Sequence, residues 1–204
     1  MFQKELGLFL ENININLFKL INGSNNSPEI IILFAKFCAE YLLYAIPLFL
    51  LVSWIFGDYK KRETALKATF VAFIALEFGQ IIIMIYPHPR PFMIGLGHQL
   101  IPHAPESSFP SDHATLFSAI AFTYLFAKEY SVGFILFIAT LLVSWARIYL
   151  GVHFPFDIIG AYILSFLVLM IFNPIWNKIG KYIMYISLEI YNKIISMVRL
   201  GKNN

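Results

Sequence analysis

The chain has 204 residues, of which 59% are hydrophobic and only 13% are charged, whereas about a quarter of an ordinary soluble domain is charged. A soluble globule of this size has no interior large enough for so much apolar side chain, which excludes a soluble enzyme, a disordered tail and a nucleic-acid-binding module. The net charge of +3 is too small to indicate a polyanionic partner. From the apolar composition and the length of the chain, we expect an integral membrane protein with one domain.

Residues 1–22 mix apolar and charged side chains, which predicts an amphipathic helix at the membrane interface. Five later stretches are apolar enough, at about 20 residues, to cross the hydrocarbon core of a bilayer. They are residues 30–56, 65–86, 113–130, 132–150 and 156–175. Residues 176–200 repeat charged residues at spacings of three and four, which predicts a second interfacial helix.

The predicted fold is an all-α integral membrane protein, because lipid offers no hydrogen-bond partner to an open backbone. Residues 1–204 form a single domain, with a bundle at residues 30–175 and an amphipathic helix at each terminus. The bundle has five transmembrane helices, or six if one terminal helix also crosses the membrane.

Basic residues predict which way the bundle faces, because basic loops stay in the cytoplasm. Counting the crossings puts one set of basic residues together on that side: Lys60, Lys61, Arg62, Lys128, Lys178, Lys181, Lys193, Arg199 and Lys202. The other, outer side receives residues 86–112 and 151–155.

Titratable residues collect on the outer side or at the outer ends of the spans. All five histidines lie there, namely His88, His98, His103, His113 and His153. Two arginines and three acids join them, namely Arg90, Arg147, Glu106, Asp112 and Asp157. Ionisable groups at membrane depth are costly and usually mark a functional site. An aqueous loop is a sufficient explanation for two of the histidines, His98 and His103.

The first motif, residues 86–92 (YPHPRPF), ends the second span. Its three prolines stiffen the backbone around Arg90, and a rigidly held guanidinium can bind a phosphate through two hydrogen bonds. The alternative is a proline-stiffened turn that carries an arginine on its surface.

The second motif, residues 109–113 (FPSDH), opens the third span. Ser111 is a typical N-cap, and the free N–H groups of a helix start bind anions. His113, on the first turn, could pass a proton to a group bound there. An ordinary capped helix would explain Ser111 but gives no reason for His113.

The third motif, residues 147–157 (RIYLGVHFPFD), joins the fourth and fifth spans. Pro155 suits the first turn of a helix, and a spacing of four residues can bring Asp157 back to the His153 ring. A carboxylate on one ring nitrogen leaves the other nitrogen free to attack as a nucleophile. The alternative is a capped helix with a solvent-facing histidine.

Together the three motifs suit a phosphate group, because two arginines and a helix start supply positive charge without a metal ion. A zinc site is the alternative, and the histidine spacings match none of the short zinc patterns.

These motifs resemble the signature of the type 2 phosphatidic acid phosphatase superfamily, and especially the bacterial undecaprenyl pyrophosphate phosphatases of the bacitracin-resistance type. The match runs through residues 88–92, 104–113 and 147–157. The resemblance implies hydrolysis of undecaprenyl diphosphate to undecaprenyl phosphate and inorganic phosphate on the outer face of the bacterial cytoplasmic membrane. This reaction recycles the lipid carrier for peptidoglycan assembly.

The resemblance also implies roles for individual residues. His153 resembles the nucleophile that becomes a phosphohistidine, Asp157 its orienting carboxylate, and His113 the general acid. Arg90, Arg147 and Ser111 resemble the groups that hold the phosphate.

Three positions depart from the superfamily pattern: Ile83 replaces a phosphate-binding lysine, Asp112 replaces a glycine, and Ala146 replaces a serine. Lys36 could replace the lost cation, or it could form an ion pair with Glu40 four residues away. Three further residues could recognise the second phosphate, directly or through a divalent cation: His88, Glu106 and Asp112.

The expected partners are a polyprenyl diphosphate lipid and the membrane, without nucleic acid or a protein partner. No cofactor is required, although divalent cations could stimulate the reaction. One alternative is the same chemistry on phosphatidic acid or phosphatidylglycerol phosphate. Another is a non-catalytic lipid transporter, which would need more polar residues within the spans than Lys36, Glu40 and Glu77.

Overall fold

The computed structural model describes residues 2–200, with side chains described for residues 5–197. Lys202, one of the basic residues used for orientation, lies outside the described residues, and the side chain of Arg199 is not described. The described part of the chain has six long helices. They are α1 (Phe2–Ile21), α2 (Glu29–Phe56), α3 (Tyr59–Ile85), α4 (Asp112–Phe126), α5 (Tyr130–Tyr149) and α6 (Pro155–Leu200).

Four of these helices, α2, α3, α5 and α6, are long and apolar enough to cross a membrane. They coincide with four of the five predicted spans and confirm an all-α membrane bundle. The remaining predicted span, residues 113–130, is too long, because α4 stops at Phe126. Lys128 in the turn that follows has a φ of 63°, which a right-handed helix does not accommodate.

Helix α4 lies in the centre of the bundle, packed between α3, α5 and α6. Its Phe117 and Ile120 are buried in one apolar cluster with Ala68 and Val71 of α3. The 15 residues of α4 span about 22 Å, less than the hydrocarbon core of about 30 Å. A short helix surrounded by other helices needs no contact with lipid to remain stable, so α4 can end within the bundle.

The predicted fifth span and the predicted C-terminal amphipathic helix are one continuous helix, α6, of 46 residues. The separation predicted at residue 176 is therefore wrong. At about 69 Å, α6 is more than twice as long as the hydrocarbon core is thick. Contacts beyond Pro174 keep it helical: Trp176 Nε1 donates to Glu63 Oε1 at 3.2 Å, and Arg62 lies over the Tyr191 ring.

The two ends of the bundle differ in composition, as the crossing count predicts. At one end, called the basic end, Lys60 and Glu129 form an ion pair of 2.9 Å that joins the start of α3 to the α4–α5 turn. At the other, called the motif end, the backbone of Leu100 donates to Leu150 and ties the first long loop to the end of α5. All three motifs converge at the motif end.

Helix α1 lies across the motif end and packs on the third motif. Phe18 is fully buried and contacts the Phe154 ring at a centroid distance of 5.3 Å. Asn14 Oδ1 accepts a hydrogen bond of 3.0 Å from the Phe156 backbone at the start of α6. Large apolar residues such as Leu20 remain exposed, so α1 is the amphipathic helix that the sequence predicts.

Candidate active site

His153, Asp157 and Arg90 form a connected chain of buried side chains at the motif end. The Nδ1 atom of His153 lies 3.3 Å from Asp157 Oδ2, and its Nε2 atom lies 3.0 Å from Arg90 Nη1. A guanidinium only donates hydrogen bonds, so Nε2 accepts one and the ring proton resides on Nδ1. The lone pair of Nε2 therefore points away from Asp157, at the arginine.

The turn between α5 and α6 fixes this arrangement locally. The backbone N–H groups of Val152 and His153 both donate to the Arg147 carbonyl, so the chain folds back at the end of α5. Asp157 Oδ2 accepts a hydrogen bond of 2.7 Å from the Phe154 backbone, and this contact caps the start of α6. The spacing of four residues thus brings the carboxylate to the imidazole, as predicted.

Three backbone carbonyls hold the guanidinium of Arg90, which is only 5% exposed. The acceptors are Val152 O at 2.9 Å, Glu106 O at 3.2 Å and Ser107 O at 3.2 Å. Burial lowers the pKa of Arg90, and the nearby charges of Asp157, Asp112 and Glu106 partly oppose that change. The guanidinium is thus held in place before any ligand arrives.

Arg147 is 3% exposed, and its Nε atom has no hydrogen-bond partner. Its side chain lines a cavity of about 390 Å³ together with His113, Glu40 and Ile101. A buried N–H group without an acceptor is costly. An anionic ligand in this cavity would remove that cost, so the cavity suits a phosphate.

The second motif begins α4 beside the same cavity. Ser111 is fully buried and caps the helix, with its Oγ accepting a hydrogen bond of 3.5 Å from Ala114.

Burial holds the pKa of His153 well below its ordinary value, and the charges of Arg147, Arg90, His113 and His103 lower it further. The structure therefore brings His113 and both arginines around a neutral His153.

His103 also lies at the site, although the sequence favoured an aqueous loop for it. Its ring centroid is 6.5 Å from that of His153, with the two rings at 76°. Its Nδ1 donates to the Ala104 carbonyl at 3.1 Å, and burial lowers the pKa of the ring. No spacing rule places residue 103 beside residue 153, because only the fold of the long loop brings them together.

His88 lies behind Asp157, on the side away from His153. Its Nδ1 is 3.0 Å from Ser108 Oγ and 3.8 Å from Asp157 Oδ1. Asp157 therefore stands between His88 and His153, while the contact of His88 with a second phosphate stays a prediction. The position of His88 follows from backbone pairing: Ser108 N donates to the His88 carbonyl at 2.7 Å and holds the ring behind the carboxylate.

The other two predicted second-phosphate contacts are exposed at the edge of the site. Glu106 reaches Arg90 through its backbone carbonyl, and Asp112 accepts a hydrogen bond of 3.3 Å from Gln80. Asp112 also lines a second opening, between α3 and α4, together with Glu77 and His113. The acids thus border the openings rather than the centre of the site.

A π-helical turn, Phe37–Tyr41, interrupts α2 next to the cavity. Such turns insert an extra residue per turn and occur often at functional sites. In the part of the chain that the structure describes, no ion pair joins Lys36 to Glu40, because the wider turn takes the two residues out of the spacing of a regular helix. Glu40 instead lines the cavity, a position that the sequence did not reveal.

Between residues 2 and 200, no three His, Cys, Asp or Glu side chains are grouped so that they could hold a metal ion. The positive charge at the site comes from Arg90 and Arg147.

An apolar groove of about 340 Å³ begins next to the cavity and runs between α2, α3 and α4. The groove and the cavity share Leu43 and Tyr44. Further along, apolar side chains line the groove: Ile46, Pro47, Leu50, Phe73, Leu76 and Ile120. A ligand with a charged head and a long apolar tail could occupy both at once.

The chain is similar to several known proteins. The sequence pattern of the PAP2 superfamily matches residues 64–181. Undecaprenyl-diphosphatase BcrC of Bacillus subtilis (strain 168) is 32% identical to this chain, over 90% of this chain and 94% of that protein. The bacitracin transport permease protein BcrC of Bacillus licheniformis is 29% identical, over 94% of this chain and 93% of its own length.

A solved structure shares the fold. The transmembrane PAP2 type phosphatidylglycerolphosphate phosphatase from Bacillus subtilis superimposes with a TM-score of 0.59 at 21% identity. The superposition covers 83% of this chain and 87% of that one.

Proposed function

Because the chain belongs to the PAP2 superfamily, we propose that it hydrolyses undecaprenyl diphosphate to undecaprenyl phosphate and inorganic phosphate. The observation that carries this proposal is the row of buried side chains Arg90, His153 and Asp157. It lies next to a cavity that is lined by Arg147, whose Nε has no hydrogen-bond partner. Such a site offers one nucleophilic nitrogen and two cations to a phosphate.

In the first step, Nε2 of His153 attacks the terminal phosphorus of the diphosphate. The N–P bond forms while the bond from that phosphorus to the bridging oxygen breaks. His113 takes up a proton once the anionic diphosphate is bound and gives that proton to the bridging oxygen, which leaves as part of undecaprenyl phosphate. Before the attack, a phosphate oxygen must accept the hydrogen bond that Arg90 Nη1 donates to Nε2 at 3.0 Å in the structure.

In the second step, water attacks the phosphohistidine. His113, now neutral, accepts a proton from the water, the N–P bond breaks, and inorganic phosphate leaves. Throughout, the proton on Nδ1 of His153 remains directed at Asp157 Oδ2, 3.3 Å away. The carboxylate stabilises the positive charge that the ring carries while phosphorus is bound.

The apolar groove beside the cavity supports a lipid rather than a small soluble ester as substrate. It is lined by apolar side chains of α2, α3 and α4, and it meets the cavity at Leu43 and Tyr44. The first isoprenoid units of the lipid would bury in the groove while the diphosphate contacts Arg147 and His153.

The site faces the outside of the bacterial cytoplasmic membrane in this proposal. The support is the separation of charges: basic residues of the turns, such as Lys60 and Lys61, lie at the end opposite the motifs. Basic loops remain in the cytoplasm. At the outer face the protein would recycle the lipid carrier of cell-wall assembly, which fits a relative named for bacitracin.

We expect the reaction to need no metal cofactor, because the two buried arginines already supply positive charge to the phosphate. A divalent cation that neutralises part of the diphosphate could still stimulate turnover. Phosphate release with and without a chelator measures that effect directly.

The decisive experiment measures phosphate release by the purified protein in detergent from undecaprenyl diphosphate, phosphatidic acid and phosphatidylglycerol phosphate. We expect undecaprenyl diphosphate to be hydrolysed fastest, and His153→Ala to abolish release while His98→Ala, a change at an exposed histidine of the same end, preserves it. Faster hydrolysis of another lipid would overturn the substrate. Activity of His153→Ala would overturn the nucleophile, and absence of release from every lipid by the wild-type protein would favour a transporter.

A further inference from the structure

The network behind the nucleophile continues past Asp157. We propose that His88 is a positioning residue: it holds Asp157 in the orientation that keeps the His153 lone pair directed at phosphorus, and Glu11 of α1 anchors it from behind. The four side chains Glu11, His88, Asp157 and His153 are called the relay. The inference rests on the proposed function only in that His153 acts as the nucleophile.

The first observation is an imbalance between the two oxygens of Asp157, which is 1% exposed. Oδ2 accepts from the Phe154 backbone at 2.7 Å and lies 3.3 Å from His153 Nδ1. Oδ1 is buried and has no hydrogen-bond partner. A buried carboxylate oxygen without a donor is costly, and nothing in the reaction described above uses it.

The second observation is that the His88 ring lies beside this oxygen. Its Nδ1 lies 3.8 Å from Asp157 Oδ1 and 3.0 Å from Ser108 Oγ. Ser108 is fully buried, and its hydroxyl occupies the same corner as the carboxylate. Hydrogen bonds of a catalytic network are often long without substrate and shorten once it binds, so 3.8 Å is within reach of a working contact.

The third observation is that the ring of His88 is fixed in place. It stacks on Tyr86 at a centroid distance of 5.9 Å and an angle of 11°, and it meets the edge of Phe154 at 5.5 Å. Its second nitrogen, Nε2, lies 3.8 Å from Glu11 Oε2 of α1. The relay thus connects three separate parts of the chain, and a ring held on both faces cannot follow Asp157 if the carboxylate rotates.

This geometry gives His88 a function in the reaction without contact with the substrate. The attack requires Nδ1 of His153 to keep its proton and its direction, and both depend on the orientation of Asp157. If the carboxylate turned about its last bond, the imidazole would turn with it, and Nε2 would lose the direction that attack on phosphorus requires. His88 opposes that rotation from the far side.

The main test compares His88→Ala in the wild-type protein and in the Asp157→Asn background. In the wild type we expect kcat to fall about 10- to 100-fold, the range for residues that orient a functional ligand. KM should change less than about twofold, because His88 lies behind Asp157 and does not line the cavity. In the Asp157→Asn background the same change should have less than about a twofold effect on kcat, because His88 acts through that carboxylate.

Two conservative variants identify the nitrogen that matters. The amide nitrogen of asparagine can occupy the position of Nδ1, whereas that of glutamine reaches the position of Nε2. We therefore expect His88→Asn to retain most of kcat and His88→Gln to behave like His88→Ala. Glu11→Gln should lower kcat only about two- to fivefold, since it is one contact further from the nucleophile. His98→Ala, on the same face with an exposed ring, is the matched control.

The outcomes separate a positioning role from a structural one. An equal loss of kcat from His88→Ala in both backgrounds, or an equal loss in His88→Asn and His88→Gln, would overturn the proposal. Each variant is measured with undecaprenyl diphosphate and with p-nitrophenyl phosphate. If the wild type hydrolyses only the small ester, the proposed substrate fails while the two-background comparison still decides the role of His88.

Discussion

At the level of single residues, the central feature is a neutral nucleophile, His153, whose two ring nitrogens both have a partner. Arg90 donates to the lone pair of His153, and Asp157 faces the opposite nitrogen. Burial and nearby positive charge both hold the pKa of His153 well below its ordinary value. The ring is thus unprotonated at neutral pH, and a phosphate that accepts the arginine hydrogen bonds exposes the lone pair at the same time.

This low pKa predicts that acid destabilises the wild-type protein more than the His153→Gln variant. Below about pH 6.5 the unfolded chain protonates residue 153, whereas the folded protein does not, so stability falls as the pH drops through that value. Between about pH 7.5 and about pH 5 the wild type should lose up to about 2 kcal/mol more than the variant, at about 1.4 kcal/mol per pH unit. Thermal unfolding in detergent, followed by tryptophan fluorescence at both pH values, measures the difference.

The control for this prediction is His98→Gln, which changes an exposed histidine and should keep the pH dependence of the wild type. An identical loss of stability in the wild type and in His153→Gln would contradict the low pKa of residue 153.

At the level of elements, the sequence predicts the contacts that depend on local spacing and misses those that depend on the path of the long loop. The four residues from His153 to Asp157 fix their contact within one turn, and Ser111 caps α4 as its type predicts. The loop before α4 is different. Backbone pairing of residue 88 with residue 108 sends His88 behind Asp157, and the same loop brings His103 to the nucleophile. Such contacts depend on the whole fold, so no local pattern encodes them.

The turn before α6 provides a second prediction, because Gly151 has a φ of 80° and a side chain there would overlap the His98 carbonyl oxygen. We expect Gly151→Ala to destabilise the protein by more than about 2 kcal/mol, since the left-handed conformation alone costs about 1–2 kcal/mol. The displaced turn should also lower phosphate release, because it carries His153. Melting temperature and phosphate release are measured together.

Gly95→Ala is the matched control for that substitution. Gly95 has a φ of 68°, but a side chain there would meet open space. It should show the conformational cost alone and leave phosphate release unchanged. Equal effects of the two substitutions would show that the contact with His98 does not constrain the turn.

At the level of the whole molecule, the basic turns and the candidate active site lie at opposite ends of the bundle. The α2–α3 and α4–α5 turns meet at the basic end. The long helix α6 contacts the start of α3 there, through Trp176 with Glu63 and through Tyr191 with Arg62. The three motifs and α1 occupy the motif end. The site therefore lies at one end of the bundle, opposite the basic turns.

That separation predicts the labelling of introduced cysteines in intact cells or spheroplasts. His98→Cys, at the motif end, should react with a membrane-impermeant thiol reagent before lysis, and Lys61→Cys, at the basic end, should react only after lysis. Cys38 is buried and should stay silent in both. The reverse pattern of labelling would place the site in the cytoplasm.

The shortness of α4 has a consequence for the way in which a lipid meets the site. With its C-terminal end level with the basic turns, a helix of 15 residues places Ser111 and His113 about 8 Å beneath the opposite boundary of the hydrocarbon. His113 thus lies deeper than the level at which headgroups ordinarily join their chains. Drawing a chain upward into water costs about 0.8 kcal/mol for each methylene. Because the site is recessed, no such extraction is needed. The headgroup can move down to His113 while the lipid chain stays in the bilayer.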